Sequence, residues 1–180
     1  MFKFSVTLAK RLFLTTLLLQ TIVSKPVAPP SRVSPALTQD RHNMPYTVLI
    51  FAYRKPGLSP AEFKSHYESS HVPLVQSLTG SLFPKSHTRR YIQRADSANH
   101  PATVLVGAQA DFEYDAIAEL IFNDEGAFQA FFACVSEAKA AEKIAQDEDK
   151  FLDRTKMKVV IEGDSIVTYG GGKGMNEHVT

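Results

Sequence analysis

The residues best suited to chemistry lie close together in the first half of the chain. Tyr67 precedes His71 by four residues, and His66 lies just before Tyr67. An imidazole can accept or donate a proton near neutral pH, and a nearby phenol can donate a hydrogen bond to an enolate or phenolate oxygen. The pair predicts acid–base catalysis, with His71 and Tyr67 as the catalytic residues. The alternatives are a helix-end histidine bonded to a carbonyl and a tyrosine that only packs in the core.

Tyr67 and His71 are predicted to lie on one helix, which determines the direction of their side chains. At about 100° per residue, one apolar stripe of that helix carries Phe63, Tyr67, Leu74 and Leu78. His71 lies on one edge of the stripe and leans toward the core, whereas His66 lies on the other edge and is expected to be wetter. We expect the helix to stop or bend at Val72, because a residue before proline is biased out of the α region. A helix C-terminus there would favour imidazolium at His71.

The segment before this helix predicts a strand and a turn. Tyr46 to Tyr53 is rich in β-branched and aromatic residues, and the Pro56-Gly57 pair that follows is a turn signal. Ser59 and Glu62 form a capping box, with Pro60 at the first helical position. The order from residue 46 onward is therefore strand, turn and helix.

Three more strands and a second helical region follow. The strands are predicted at residues 86–94, 114–122 and 156–162, and the helical region begins at Asn123 or Asp124 and extends to residue 152. This order predicts an α+β, ferredoxin-like βαββαβ fold, an antiparallel sheet with both helices on one face. Because Tyr46 to Tyr53 is apolar on both faces, the other face of the sheet also needs a cover. A second copy is the simplest one, which predicts a homodimeric α+β barrel.

Four polar residues on the predicted strands are candidates for substrate binding. His87 and Arg89 share one face of the second strand. If that face is interior, Arg89 could hold a substrate carboxylate. If it is exterior, both side chains would be solvated or would lie at the rim of a dimer interface. Asp115 and Glu119 share one face of the third strand. A desolvated carboxylate there would have a raised pKa and could act as a base. The alternative is an ion pair with Arg89, Arg90 or a partner subunit.

Composition and charge exclude several classes of protein. The chain is 44% hydrophobic, enough for a core, and its one cysteine, Cys134, leaves no internal disulfide or cysteine-rich zinc site. Residues 40–180 have a net charge near −4, which does not suggest nucleic acid. The histidines lack a metal-ligand spacing, although His66 and His71 could meet a metal across subunits. We expect neither a metal nor an organic cofactor.

The two ends of the chain differ from the predicted domain at residues 44–170. Residues 1–24 are basic and then apolar, which suits a signal peptide and secretion, a mitochondrial leader, or an optional extension of a protein that starts at Met44 and stays cytoplasmic. The apolar stretch is too short for a stable membrane span. Residues 25–43 are rich in Pro and Ser and predict a disordered linker. Residues 171–180 predict a flexible tail.

Four segments together resemble the EthD domain of the dimeric α+β barrel superfamily. The resemblance covers roughly residues 45–170, and its segments are 53–60, the Phe63…Tyr67…His71-Val-Pro-Leu74 series, 114–119 and 147–153. It implies a small cofactor-independent enzyme, often fungal, that acts on polyketide-like or other secondary metabolites by decarboxylation, dehydration, cyclisation or isomerisation. Other members of the superfamily oxidise phenols with oxygen and no cofactor. The resemblance also implies a pocket histidine acting as acid or base, which His71 matches. A third hypothesis is a non-catalytic barrel that binds a small hydrophobic molecule.

Overall fold

The computed structural model describes residues 45–170 of the chain. Its four strands form one sheet with the order β2-β3-β1-β4, in which every neighbouring pair is antiparallel. The strands are β1 (Tyr46–Ala52), β2 (Ser86–Tyr91), β3 (Ala116–Phe122) and β4 (Lys158–Ile161). The predicted α+β, ferredoxin-like fold is therefore confirmed. The predicted leader (residues 1–24), linker (25–43) and tail (171–180) lie outside the described residues.

The helices form two segments between the strands. The first runs from α1 (Pro60–His66) through a π-helical turn (Tyr67–His71) into α2 (Val72–Thr79). The second consists of α3 (Glu125–Ser136) and α4 (Ala138–Phe151), separated by Glu137 in an extended conformation. None of the helices in residues 45–170 is both long and apolar enough to cross a membrane.

Both helical segments pack on the same face of the sheet. Strand β3 shows this through strict alternation, because every second residue is buried beneath the helices. The buried set is Ala116, Ala118, Leu120 and Phe122, none more than 7% exposed. These side chains join Val48 and Ala52 of β1 and Phe63, Phe128 and Phe151 of the helices in one core. Small alanines in the sheet let the aromatic helix residues approach closely.

The start of the first helical segment follows the predicted capping box. Ser59 Oγ accepts a hydrogen bond from the Glu62 backbone N–H at 3.2 Å, and Glu62 Oε2 accepts one from the Ser59 N–H at 2.7 Å. The sequence predicted a stop or a bend at Val72, and the stop does not occur. The helix continues to Thr79, because the Val72 N–H bonds Tyr67 O across one wider π-type turn. That turn accommodates Pro73, which lacks an N–H and would clash in a regular α-helix.

The open face of the sheet carries a central apolar patch. Its members alternate with the core residues along three strands and are half-buried or exposed in this chain: Leu49, Phe51, Ile117, Ile121 and Val160. Arg90 and Glu119 form an ion pair on the same face, beside β2. The helices of residues 45–170 lie on the opposite side of the sheet, so they do not cover this patch.

Candidate active site

The π-helical turn organises the candidate site. Such turns insert one extra residue into a helix and occur often at functional sites. This one spans Tyr67–His71, so both predicted catalytic residues lie at its two ends. Their rings contact each other edge to face, with centroids 5.4 Å apart. Phe151 of α4 lies 5.1 Å from the His71 ring and 5.3 Å from the Tyr67 ring, which closes the site from the helix side.

Asp147 of α4 binds both histidines of the first helical segment. Its Oδ2 lies 3.0 Å from His71 Nδ1, and its Oδ1 lies 2.8 Å from His66 Nε2. The carboxylate side chain is only 8% exposed. A buried charge needs such hydrogen-bond partners. The two imidazoles fix the orientation of the Asp147 carboxylate, and the carboxylate in turn fixes the orientation of both rings.

This arrangement determines the protonation state of His71. Burial lowers the pKa of His71 despite the opposing effect of Asp147. Burial acts to raise the pKa of Asp147, but hydrogen bonds from His66 and His71 outweigh that effect and lower it. At neutral pH Asp147 is therefore a carboxylate, which only accepts hydrogen bonds, so His71 carries its hydrogen on Nδ1. Nε2 of neutral His71 then has a lone pair, as a general base requires.

Tyr67 lies between His71 and His87, and its ring contacts both imidazoles. Tyr67 is 4% exposed, and burial raises the pKa of its phenol, which keeps the hydroxyl protonated and able to donate. The His87 ring lies 6.1 Å from the Tyr67 ring, on the helix-facing side of β2. Burial, with Arg89 and His71 nearby, lowers the pKa of His87 to about 4. Its Nε2 is buried without a hydrogen-bond partner among the described residues, which leaves an unused polar atom in the site.

Arg89 lies on the same strand face as His87 but is already paired. Its Nε and Nη2 bind the two carboxylate oxygens of Glu68 at 2.8 and 2.7 Å, and the Tyr91 hydroxyl donates to the same carboxylate at 2.6 Å. These hydrogen bonds outweigh desolvation and lower the pKa of Glu68 to about 2. The cluster ties the π-helical turn to β2. Arg89 therefore holds the π-helical turn through Glu68. A substrate carboxylate would have to displace Glu68 in order to bind Arg89.

The two predicted carboxylates of the third strand lie elsewhere. Glu119 is on the open face of the sheet, paired with Arg90. Asp115 is 6% exposed and is bound by Arg54 Nε at 3.3 Å and Arg94 Nε at 3.1 Å. The structure does not bring either residue to His71. Both form the ion pairs that the sequence left open as an alternative, although the partners of Asp115 differ from the arginines expected.

A cleft of about 210 Å³ adjoins the aromatic cluster where α1 crosses the end of β2. It shares Phe63 and Tyr91 with that cluster, since the Phe63 ring lies 5.9 Å from Tyr67 and 6.3 Å from Tyr91. His71 and Tyr67 do not line it. The lining residues are Pro60, Ala61, Phe63, Lys64, Tyr91, Ile92, Arg94 and Asp115.

The sequence did not single out Asp147 and Glu148 as site residues. A signal for Asp147 was available, because it shares the core-facing stripe of α4 with Ala140, Ile144 and Phe151, where a carboxylate needs a polar partner. Glu148 is adjacent and 14% exposed. Burial raises the pKa of Glu148 to about 7, even though Arg154 Nε lies 2.8 Å from it. Within residues 45–170, no three His, Cys, Asp or Glu side chains converge as metal ligands would.

The fold and the site define a class: a small α+β protein with an imidazole–carboxylate pair and a tyrosine between its helices and a four-stranded antiparallel sheet. Residues 55–155 match the family model described as "EthD domain". This match covers more than half of the chain, and the protein belongs to the EthD domain family.

Individual relatives were found by sequence and by structure. A Metarhizium robertsii protein named conidial pigment biosynthesis dehydratase EthD is 26% identical over 116 residues, which cover 62% of this chain and 77% of that protein. An EthD-family protein from Bacillus halodurans has a TM-score of 0.42 at 17% identity, covering 67% of this chain and 99% of that one. SnoaB, a cofactor-independent oxygenase from Streptomyces nogalater, has a TM-score of 0.36 at 14% identity, covering 66% and 90%.

Proposed function

We propose that this protein is a cofactor-independent enzyme of secondary metabolism that dehydrates a small polyketide-like substrate by acid–base chemistry at His71. Decarboxylation, cyclisation and isomerisation are the alternative reactions, because each of them also needs a proton transfer. Membership of the EthD domain family and the similarity to a protein named as a pigment biosynthesis dehydratase support a secondary-metabolism enzyme. Dehydration is the one reaction that the name of that relative specifies.

The observation that carries the proposal is the hydrogen bond between His71 Nδ1 and Asp147 Oδ2 at 3.0 Å. A buried carboxylate that accepts from Nδ1 fixes the tautomer and the orientation of the ring, as in other imidazole bases. The same hydrogen bond leaves the lone pair of neutral His71 on Nε2, which is the atom a general base uses.

The chemistry assigns a separate role to each residue. His71 Nε2 removes a proton from the carbon next to a substrate carbonyl, and Asp147 stabilises the imidazolium that forms. The Tyr67 hydroxyl donates a hydrogen bond to the enolate oxygen that develops. His87 Nε2 offers a further polar contact to the substrate. The imidazolium of His71 then returns that proton to the β-hydroxyl group, which leaves as water as the C–O bond breaks and a carbon–carbon double bond forms.

We also infer a homodimer formed through the open face of the sheet. The central patch of Leu49, Phe51, Ile117, Ile121 and Val160 is apolar, and a contiguous exposed patch of this kind is typical of an interface. Because His71 lies on the helix side of the sheet, the catalytic residues of each subunit belong to one chain.

The test is turnover of aromatic β-hydroxy ketones by the purified protein and by His71→Ala, followed by mass spectrometry for the loss of water. We expect the variant to stay folded and to lose at least about a hundredfold in kcat. His100→Ala is the matched control, because His100 lies in the β2–β3 loop and its ring is hydrogen-bonded to the carbonyl of Ala95, away from the candidate site.

The outcomes separate the competing functions. Unchanged turnover in folded His71→Ala would remove this residue from the mechanism. Oxygen uptake in step with product formation would replace dehydration by oxidation of a phenolic substrate. If the wild-type protein binds these compounds and returns all of them unchanged, a non-catalytic binding barrel replaces the enzyme.

A further inference from the structure

Two imidazoles share one carboxylate in this protein, and only one of them has a role in the proposed chemistry. His66 Nε2 contacts Asp147 Oδ1 and His71 Nδ1 contacts Oδ2. The His66 ring also stacks on Phe151, with centroids 4.8 Å apart and planes 27° from parallel. Like His71, it is hydrogen-bonded to Asp147 and packs against Phe151.

We propose that His66 is a positioning residue for His71: it fixes the Asp147 carboxylate by a hydrogen bond and competes with His71 for the negative charge of Asp147. This inference rests on the proposed role of His71 as a base. The function of His66 is to keep His71 neutral and correctly oriented at the pH where the enzyme works.

Charge and geometry both support this role. A carboxylate carries one negative charge, so it can compensate only one of the two imidazoliums beside it. The side chain of His66 is 23% exposed and that of His71 is 12% exposed, so His66 is the ring that solvent reaches more easily. Once His66 is protonated, its charge opposes protonation of His71, which is also the direction in which His66 shifts the pKa of His71.

Other charged groups face the pair without replacing His66. Lys150 Nζ lies 3.8 Å from Asp147 Oδ1 but is 65% exposed, so water screens its charge. Across the interior, β2 contributes His87 and Arg89, and Arg89 is neutralised by Glu68. On α4, Glu148 lies next to Asp147 and is bound by Arg154. None of these groups donates to Asp147 Oδ1 as closely as His66 does.

His66→Gln separates the two parts of this role, because a glutamine amide can still donate to Asp147 Oδ1 but carries no titratable charge. The experiment titrates the His71 ring by NMR in the wild-type protein, in His66→Gln and in His100→Gln, which removes a loop histidine. We expect His66→Gln to raise the pKa of His71 by roughly one unit, the size expected for two partly screened charges at this range. His100→Gln should leave the His71 titration unchanged.

A second measurement needs no substitution. In the wild-type protein, the His71 ring signal should titrate in two steps, because a second imidazole on the same carboxylate opposes its protonation. A single-step His71 curve, or an unchanged His71 titration in His66→Gln, would overturn the role of His66. The two-step His71 curve remains decisive if His66→Gln does not fold.

The pH dependence of turnover distinguishes this role from the proposed function. If His71 is the base, the acidic limb of the kcat/KM profile moves to higher pH in His66→Gln by the same interval as the NMR titration. A moved NMR titration with an unmoved kinetic limb confirms the charge competition and removes His71 from catalysis.

Discussion

Asp147→Asn removes the charge between the two histidines and leaves a side chain of almost the same size. The asparagine carbonyl oxygen can accept from only one imidazole, and its NH₂ group then faces the N–H of the other. Either that N–H loses its partner, or the ring changes tautomer to accept from the amide. If His71 changes, its hydrogen moves to Nε2, and Nε2 loses the lone pair that the proposed general base requires.

The loss of stability can be estimated from the contacts. Asp147 accepts two hydrogen bonds, at 2.8 and 3.0 Å, while 8% exposed. One bond is lost in the variant and leaves a buried donor without a partner, which costs about 1–3 kcal/mol, and the surviving bond loses the contribution of the charge, about 1 kcal/mol. We expect the free energy of unfolding at pH 7 to fall by about 2–4 kcal/mol.

The difference should depend on pH in a defined direction. The two imidazoles lower the pKa of Asp147 in the folded state. The carboxylate therefore contributes stability above its unfolded pKa of about 3.9, and this contribution is lost as pH falls through the lower, folded pKa. The difference in the free energy of unfolding between wild type and Asp147→Asn should have its full size near pH 7 and should decrease progressively below about pH 4.

The assay is urea unfolding followed by circular dichroism, together with nitrogen NMR of the imidazole rings. Asp149→Asn is the matched control, because Asp149 is in the same helix, two residues further on, and is 64% exposed. A variant within about 0.5 kcal/mol of wild type, with the His71 hydrogen still on Nδ1, would refute the account of Asp147 as the residue that sets the tautomer.

Two further predictions concern the rest of the chain. Burial raises the pKa of Glu148 to about 7, so its ionisation destabilises the fold progressively as pH rises from its unfolded value of about 4.3 through 7. Glu148→Gln should therefore be more stable than wild type by up to about 3 kcal/mol at pH 8 and equally stable near pH 4. Urea unfolding measures the difference, with Glu142→Gln, at an exposed position of the same helix, as the control. An equal gain in stability at both pH values would contradict this prediction. Leu49→Lys should convert the proposed homodimer into a folded monomer in analytical ultracentrifugation, and a wild-type protein that sediments as a monomer at micromolar concentration would exclude the dimer.

Local patterns in the sequence determined the fold. The capping box of Ser59 and Glu62, the alternation along Ala116–Phe122 and the turn signal at Pro56-Gly57 depend on neighbours within a few residues, so the sequence alone predicted them. The strand and helix order then left the ferredoxin-like arrangement, because both helices had to bury their apolar stripes on one side of one sheet. The family resemblance followed from segments that overlap these and from residues 147–153.

The tertiary structure decided the site. His71 and Asp147 are 76 residues apart in the chain, and only the packing of α4 against the π-helical turn brings them together. The helix did not end at Val72, because a wider turn can accommodate a proline that an α-helix cannot. Single-sequence periodicity does not detect such a turn, and it cannot pair a carboxylate on one helix with two histidines on another. The sequence therefore predicted the imidazole, and the tertiary structure determined its hydrogen-bond partner Asp147 and, through it, the tautomer.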